Sequence, residues 1–181
     1  MENKTENAKI EFKESFDTKL TEAWVEIIKD IVAIANSGGG VIIFGLNKDG
    51  QPSGNNIENI ISLDPAKITD KIKKYTGTNF ADFEITEYFE GDNKLAALLI
   101  SGINIPLVFE KPGTYPVKNG KQKRAFSQGT VYFRHGAKSE PGQSDDIRKS
   151  LERNLKRVRE QWIDGVRKVI EAPPGSQVAI I

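Results

Sequence analysis

Ala33-Ile34-Ala35-Asn36-Ser37-Gly38-Gly39-Gly40-Val41-Ile42-Ile43-Phe44-Gly45-Leu46 is the stretch that decides the fold. Upstream of it, from Glu22, Val25, Ile28, Ile31, Val32 and Ala35 recur at three- and four-residue spacing, which predicts a helix with one buried face. The helix is expected to stop at Asn36-Ser37-Gly38, because Gly and Asn take the left-handed conformation at a helix end at little steric cost. The next residues, Val41 to Leu46, form an unbroken β-branched and aromatic run, the composition of a central strand covered on both faces. Helix, glycine turn and buried strand in that order predict an α+β domain.

Working outward, Ile10-Glu11-Phe12-Lys13 alternates apolar and charged residues and reads as a short first strand. Lys48 to Gly54 reads as a turn. Asp64-Pro65 supplies an N-cap and a first helical residue for a helix with Ile68, Ile72 and Tyr75 inside, ending near Gly77. Phe83 to Phe89 and Lys94 to Ile100 predict two antiparallel strands joined through Glu90-Gly91-Asp92-Asn93. Ile105-Pro106 and Lys111-Pro112-Gly113 punctuate a stretch expected to be irregular, and Thr130 to Arg134 is one more strand. The sheet should be mixed and largely antiparallel, packed by helices. At Ser144-Asp145-Asp146 a serine cap and two carboxylates suit the positive end of a helix dipole. Ile147, Leu151, Leu155, Val158, Trp162, Val166 and Val169 follow at four- and three-residue intervals, predicting a C-terminal helix of roughly 40 Å. The chain is accordingly divided into a domain over 1–143, the long helix over 144–171, for dimerisation or as a link to a further domain, and a tail over 172–181.

The 181 residues, 38% of them hydrophobic, can supply an ordinary core. There is no Cys, which excludes disulfides, thiolate nucleophiles and Cys-based metal sites and suits a reducing compartment. The longest apolar run, Val41 to Leu46, is far too short to span a bilayer, and Met1 to Glu6 is polar, so a cytoplasmic location with no membrane partner is expected. Formal net charge is only +1, yet Lys111, Lys118, Lys121, Lys123, Arg124, Arg134 and Lys138 follow one another with no Asp or Glu between them. A local basic block in a near-neutral chain points to a polyanion contacted through one surface.

Ser37-Gly38-Gly39-Gly40 is not a phosphate loop: those motifs place glycines after a strand and before a helix, and here the order is reversed. No Gly-Lys-Ser/Thr occurs. The turn is expected to be a tight connection that lets backbones approach closely. Glu6, Glu11 and Glu14 near the start, with Asn47 and Asp49 after the central strand, are the acids from which a metal nuclease could be assembled, Lys13 offsetting charge; surface acids near a terminus are the plainer reading. Arg134-His135-Gly136 contains the only His, so a His-rich metal site and a hydrolytic triad are not indicated. Arg134, His135 and Lys138, together with Lys118, Lys121, Lys123 and Arg124, are the candidate phosphate-contacting residues, expected on loops around the Thr130 strand.

With Ile10-Glu11-Phe12-Lys13-Glu14-Ser15, the Ala-Asn-Ser-Gly-Gly-Gly helix end and strand, and Tyr132-Phe133-Arg134-His135-Gly136-Ala137 in view, the sequence resembles the Alba-like domain of Schlafen proteins over roughly Glu6 to Leu151. The resemblance implies a mixed α/β nucleic-acid-binding fold of the kind found in bacterial and archaeal transcriptional regulators. In some members it implies an endoribonuclease that cuts structured RNA through three acidic residues. Glu6 and Glu11 match the first two acids; where the third belongs, this chain reads Gly45-Leu46-Asn47-Lys48-Asp49, so Asn47 replaces it or Asp49 serves.

The leading expectation is a domain that binds DNA or RNA through the basic loops and needs no cofactor to do so. The enzymatic alternative is a Mg- or Mn-dependent nuclease with Glu6, Glu11 and Asp49 as metal ligands and Lys13 beside them. A third is a dimerisation or signalling module organised by the long helix, the chain being a homodimer.

Overall fold

The computed structural model describes residues 5–170, apart from the side chains of Asn119, Val169 and Ile170. The fold is mixed α+β and is organised around one helix. Strand β1 (Ile10–Lys13) leads into α1 (Thr21–Asn36) and β2 (Gly39–Phe44); a single turn α2 (Glu58–Ile61), helix α3 (Pro65–Thr76) and the hairpin β3 (Phe83–Glu90) and β4 (Asn93–Ser101) follow. The second half holds β5 (Val108–Phe109), β6 (Gly113–Pro116), β7 (Gln122–Phe126), β8 (Thr130–His135), β9 (Lys138–Pro141) and the long helix α4 (Ser144–Ile170).

Three sheets result, of order β1-β2-β4-β3, β5-β8-β9 and β6-β7. Among the described residues only β1 and β2 pair in parallel, Ile10 beside Val41 and Lys13 beside Phe44, and the other strand pairs are antiparallel. Helix α1 touches all three sheets, which explains a feature its periodicity understates. Besides Val25, Ile28, Ile31, Val32 and Ala35, it buries Trp24, Ile27, Ala33 and Ile34, so it is enclosed on most sides, with Glu22, Glu26, Lys29 and Asp30 forming its polar stripe. A helix of that kind belongs inside a layered domain.

Helix α3 forms as its sequence dictates: Asp64 accepts a hydrogen bond from the Ala66 amide, Pro65 occupies the first turn, and Gly77 ends the helix at φ 69°. Two expectations change. Strand β2 is covered on one face only: Ile42 and Phe44 are buried with α1, while Val41 and Ile43 are half-buried and their neighbour Leu99 is exposed. That second face carries just a small cluster of Phe12, Leu46 and Leu95. The stretch expected to be irregular contains the short strands β5, β6 and β7, the last two forming a two-stranded ribbon. Its alternation is hidden by Lys123-Arg124 and by a bulge: Gly113 pairs with Phe126 but Thr114 with Arg124, leaving Ala125 as the extra residue. The tail over 172–181 lies outside the described residues.

Candidate functional site

The Asn-Ser-Gly-Gly-Gly segment works as a joint. Asn36, fully buried, donates from Nδ2 to the carbonyls of Leu107 (3.1 Å) and Tyr132 (2.9 Å) and accepts the Leu107 amide on Oδ1 (2.8 Å). One side chain at the end of α1 thereby ties in β8 and the approach to β5. Ser37 Oγ accepts the Arg134 amide at 2.8 Å. The carbonyls left at the helix end are met by cations: Arg153 donates to Asn36 O, and Lys9 Nζ to Ser37 O and Gly39 O. This is the expected chemistry of a helix C-terminus, where carbonyls and dipole both favour positive charge. A Cβ on Gly40 would stand 2.4 Å from Lys9 O, and one on Gly39, at φ 86°, 2.7 Å from Ile100 O. The glycines admit close backbone neighbours and cradle no anion.

Beside this joint, β1 brings charge into the interior. Glu11 and Lys13 project from the helix-facing side of the sheet, where Lys13 Nζ lies 2.7 Å from both Glu11 Oε1 and Asp30 Oδ2. Arg134, whose side chain is 1% exposed, sits with Nη2 at 2.7 Å from Glu11 Oε2 and donates to Asn7 O. Ser139 closes the ring, donating to Asp30 at 2.7 Å and accepting from Arg134 Nη1 at 3.2 Å. Two acids and two bases from β1, α1 and β8 thus neutralise one another beneath the surface. Burial, with Asp30 nearby, pushes the Glu11 carboxyl above its ordinary range against the pull of Lys13 and Arg134. For Lys13 the lowering effect of burial is outweighed by Asp30 and Glu11, and its ammonium is held well above the usual lysine range.

A cleft of about 490 Å³ opens over the outer edge of this network, lined by Glu6, Glu11, Lys13, Glu14, Lys48 and Lys138 among others. Glu6 and Glu11 therefore share a surface, but Glu6 Oε1 accepts the Phe12 amide and both Glu11 oxygens face cations. Asp49 is exposed in the turn after β2 and does not line the cleft. Asn47 shapes that turn, its Oδ1 accepting the amides of Asp49 and Gln51. Among the described residues no three His, Cys, Asp or Glu side chains gather as ion ligands. The donor set as arranged does not fit a Mg or Mn ion.

The basic residues separate into three groups. Arg134, expected to grip phosphate, is instead buried against Glu11. His135 lies between Glu140 Oε2 (3.2 Å) and Asp146 Oδ2 (2.9 Å), joining the β8–β9 turn to α4; the hydrogen bond to Asp146 raises its pKa, burial opposes, and Glu140 adds to the rise. Lys118, Lys121, Lys123 and Arg124 stand exposed on the β6–β7 ribbon and the short 3₁₀ turn at its tip, where loops were expected. Of these, Lys123 pairs with Glu26 at 3.2 Å and lies over the Tyr115 ring. Tyr115 and Lys29 also bond Glu26; although burial raises it, these hydrogen bonds hold the carboxyl down at about 2. Lys138 opens β9 and reaches the cleft.

Asp30, Lys9 and Arg153 are site-forming residues that sequence reasoning did not single out. Asp30 had a signal, a lone carboxylate within the apolar run Ile27 to Ala35. Lys9 and Arg153 had none, because carbonyl capping depends on elements far apart in the chain.

A family model described as Schlafen, AlbA_2 matches residues 6–143. No curated protein matches the chain. Among solved structures, the DIP2311 protein from Corynebacterium diphtheriae is similar at 13% identity and a TM-score of 0.48, over 75% of this chain and 22% of that one. The chain therefore spans less than a quarter of that protein's length.

Proposed function

Since the chain belongs to the Schlafen AlbA_2 family, we propose that it is the nucleic-acid-binding domain of a cytoplasmic transcriptional regulator or RNA/DNA-binding protein, gripping backbone phosphates with the β6–β7 ribbon. The observation that carries this reading is the ribbon itself, which holds Lys118, Lys121 and Arg124 exposed and has no acidic residue between Lys111 and Lys138. A two-stranded ribbon has the width to enter a major groove, and phosphate contacts position a protein without reading sequence. Lys123, paired with Glu26, acts as the ribbon's anchor. Lys48 and Lys138 extend the contact to the cleft. A homodimer held through the long helix presents two ribbons, and needs no cofactor to bind.

Gel-shift titration at increasing salt tests this directly. Affinity should fall steeply with salt, and Lys118→Ala with Lys121→Ala and Arg124→Ala should lower the slope of log K against log salt by about 2 to 3. An unchanged slope in that triple variant removes the ribbon from the interface.

The second reading, a Mg- or Mn-dependent endoribonuclease using Glu6, Glu11 and Asp49 with Lys13, is favoured by the shared cleft of Glu6, Glu11 and Lys13. It requires Asp49 to enter that cleft and Glu11 to leave its cations, and no step through an ion is drawn from the present arrangement. Structured RNA incubated with the protein and Mn should be cut, and Glu6→Gln should abolish cutting; intact RNA in both samples leaves binding alone.

A further inference from the structure

Helix α4 docks on the domain with the wrong face. Its anchors are Asp146, held by His135; Ser150, buried; and Arg153, bonded to Asn36 O. At four- and three-residue spacing these lie on one side of the helix, and they are polar. The apolar residues lie on the other side, in the open: Ile147, Leu151, Leu155, Val158, Trp162 and Val166 are all exposed, Leu155 at 63% and Trp162 at 77%. An amphipathic helix normally turns its apolar stripe inward. Here polar contacts fix the helix so that the stripe faces away from its own domain, and nothing within residues 5–170 covers it.

The stripe has a period. The intervals 147-151-155-158 repeat as 158-162-166-169, so that Ile147 returns as Val158 and Val169, Leu151 as Trp162, and Leu155 as Val166. An eleven-residue repeat runs at about 3.67 residues per turn, close to a straight α-helix, so the seam stays on one line along the helix instead of winding around it.

We propose that this seam is closed by α4 of a second copy of the chain, antiparallel and centred on Leu155, which fixes the partner and the geometry of the homodimer advanced above. With Leu155 level with its own counterpart, the nearest seam partner of Ile147 is Trp162 of the second copy and that of Leu151 is Val158, each within one residue of level, so large side chains oppose smaller ones. The charges agree. Lys156-Arg157-Val158-Arg159 of one copy falls opposite Leu151-Glu152-Arg153-Asn154 of the other, and Glu152 flanks the seam beside Arg159, twice by symmetry. A parallel pairing sets the two Trp162 indoles at one level and each Arg-rich 156–159 stretch abreast of its own like. The overlap from 144 to 166 is about 34 Å long.

Because the stripe is exposed in a single copy, breaking the seam leaves the fold intact. Wild type should sediment as a dimer and Leu155→Asp as a folded monomer with unchanged circular dichroism. Glu152→Arg should weaken the dimer roughly fivefold, and adding Arg159→Glu should restore it. The absence of native Cys makes the orientation readable by cross-linking: Ile147→Cys protein mixed with Trp162→Cys protein should form a disulfide heterodimer, and Ile147→Cys alone should not. Wild type that sediments as a monomer at all concentrations overturns the self-association. A dimer in which Ile147→Cys cross-links to itself overturns the antiparallel register while leaving the homodimer standing. Nucleic-acid affinity enters neither measurement, so the outcome is independent of what the ribbon binds.

Discussion

Arg134 and Glu11 show how much a single residue's surroundings alter its meaning. In sequence, Arg134 sits at a strand end in a basic block and reads as a phosphate ligand; in the fold it is buried and completes a ring with Glu11, Lys13, Asp30 and Ser139. Removing one member of a buried ion pair strands the other, at a cost of about 3–5 kcal/mol, whereas replacing a pair with apolar residues is often close to neutral. Arg134→Met should therefore lower the stability to urea by that amount, and Glu11→Leu in the same chain should recover most of it. A double variant no more stable than Arg134→Met would assign the loss to packing. Glu26 gives a pH signature. Its carboxyl is held at about 2 in the fold against an ordinary 4.5, so it contributes stability that is complete above 4.5 and is lost as pH falls toward 2. Acid titration of unfolding should show that decline, and Glu26→Gln should flatten it.

At the scale of elements, the attachment of α4 to the β8–β9 turn carries the clearest expectation. Asp146 accepts the Gln143 amide at 2.8 Å, capping the first turn, and also holds His135, which faces Glu140 from β9, with Lys149 next to Asp146 on the helix. Because the two carboxylates raise the His135 pKa above 6.5, the protonated ring stabilises the junction below 6.5 and that contribution fades as pH rises through the raised value. Amide protection factors over Ile147 to Leu151 should fall across that range in wild type, and show no such step in His135→Ala.

For the whole molecule, what could be read from sequence was what depends on near neighbours. The α1 and α3 boundaries, the β3–β4 hairpin and the α4 stripe all follow from spacing and caps within one element, and each is present. The family likewise was legible in the Ala-Asn-Ser-Gly-Gly-Gly joint and the Glu11-Phe12-Lys13 strand. What escaped was set by distant partners. Strands β5, β6 and β9 are short, and β7 is masked by cations and a bulge, so they exist only as paired segments. Local sequence does not show that Arg134 is buried, because its partner lies on β1, or that Asp30 belongs to the site, because its partners come from β1 and β9.

The Asn36 joint also sets a schedule. Its partners, Leu107 and Tyr132, lie 71 and 96 residues further along the chain. Helix α1, with most of its sides apolar, emerges well before β8 and cannot be enclosed until β8 has been made. At about 5–20 residues per second the nascent chain holds an uncovered greasy helix for several seconds, long enough to engage chaperones at the ribosome exit. The long-range closure that seals the finished domain is thus the same feature that leaves α1 uncovered while the chain is being made.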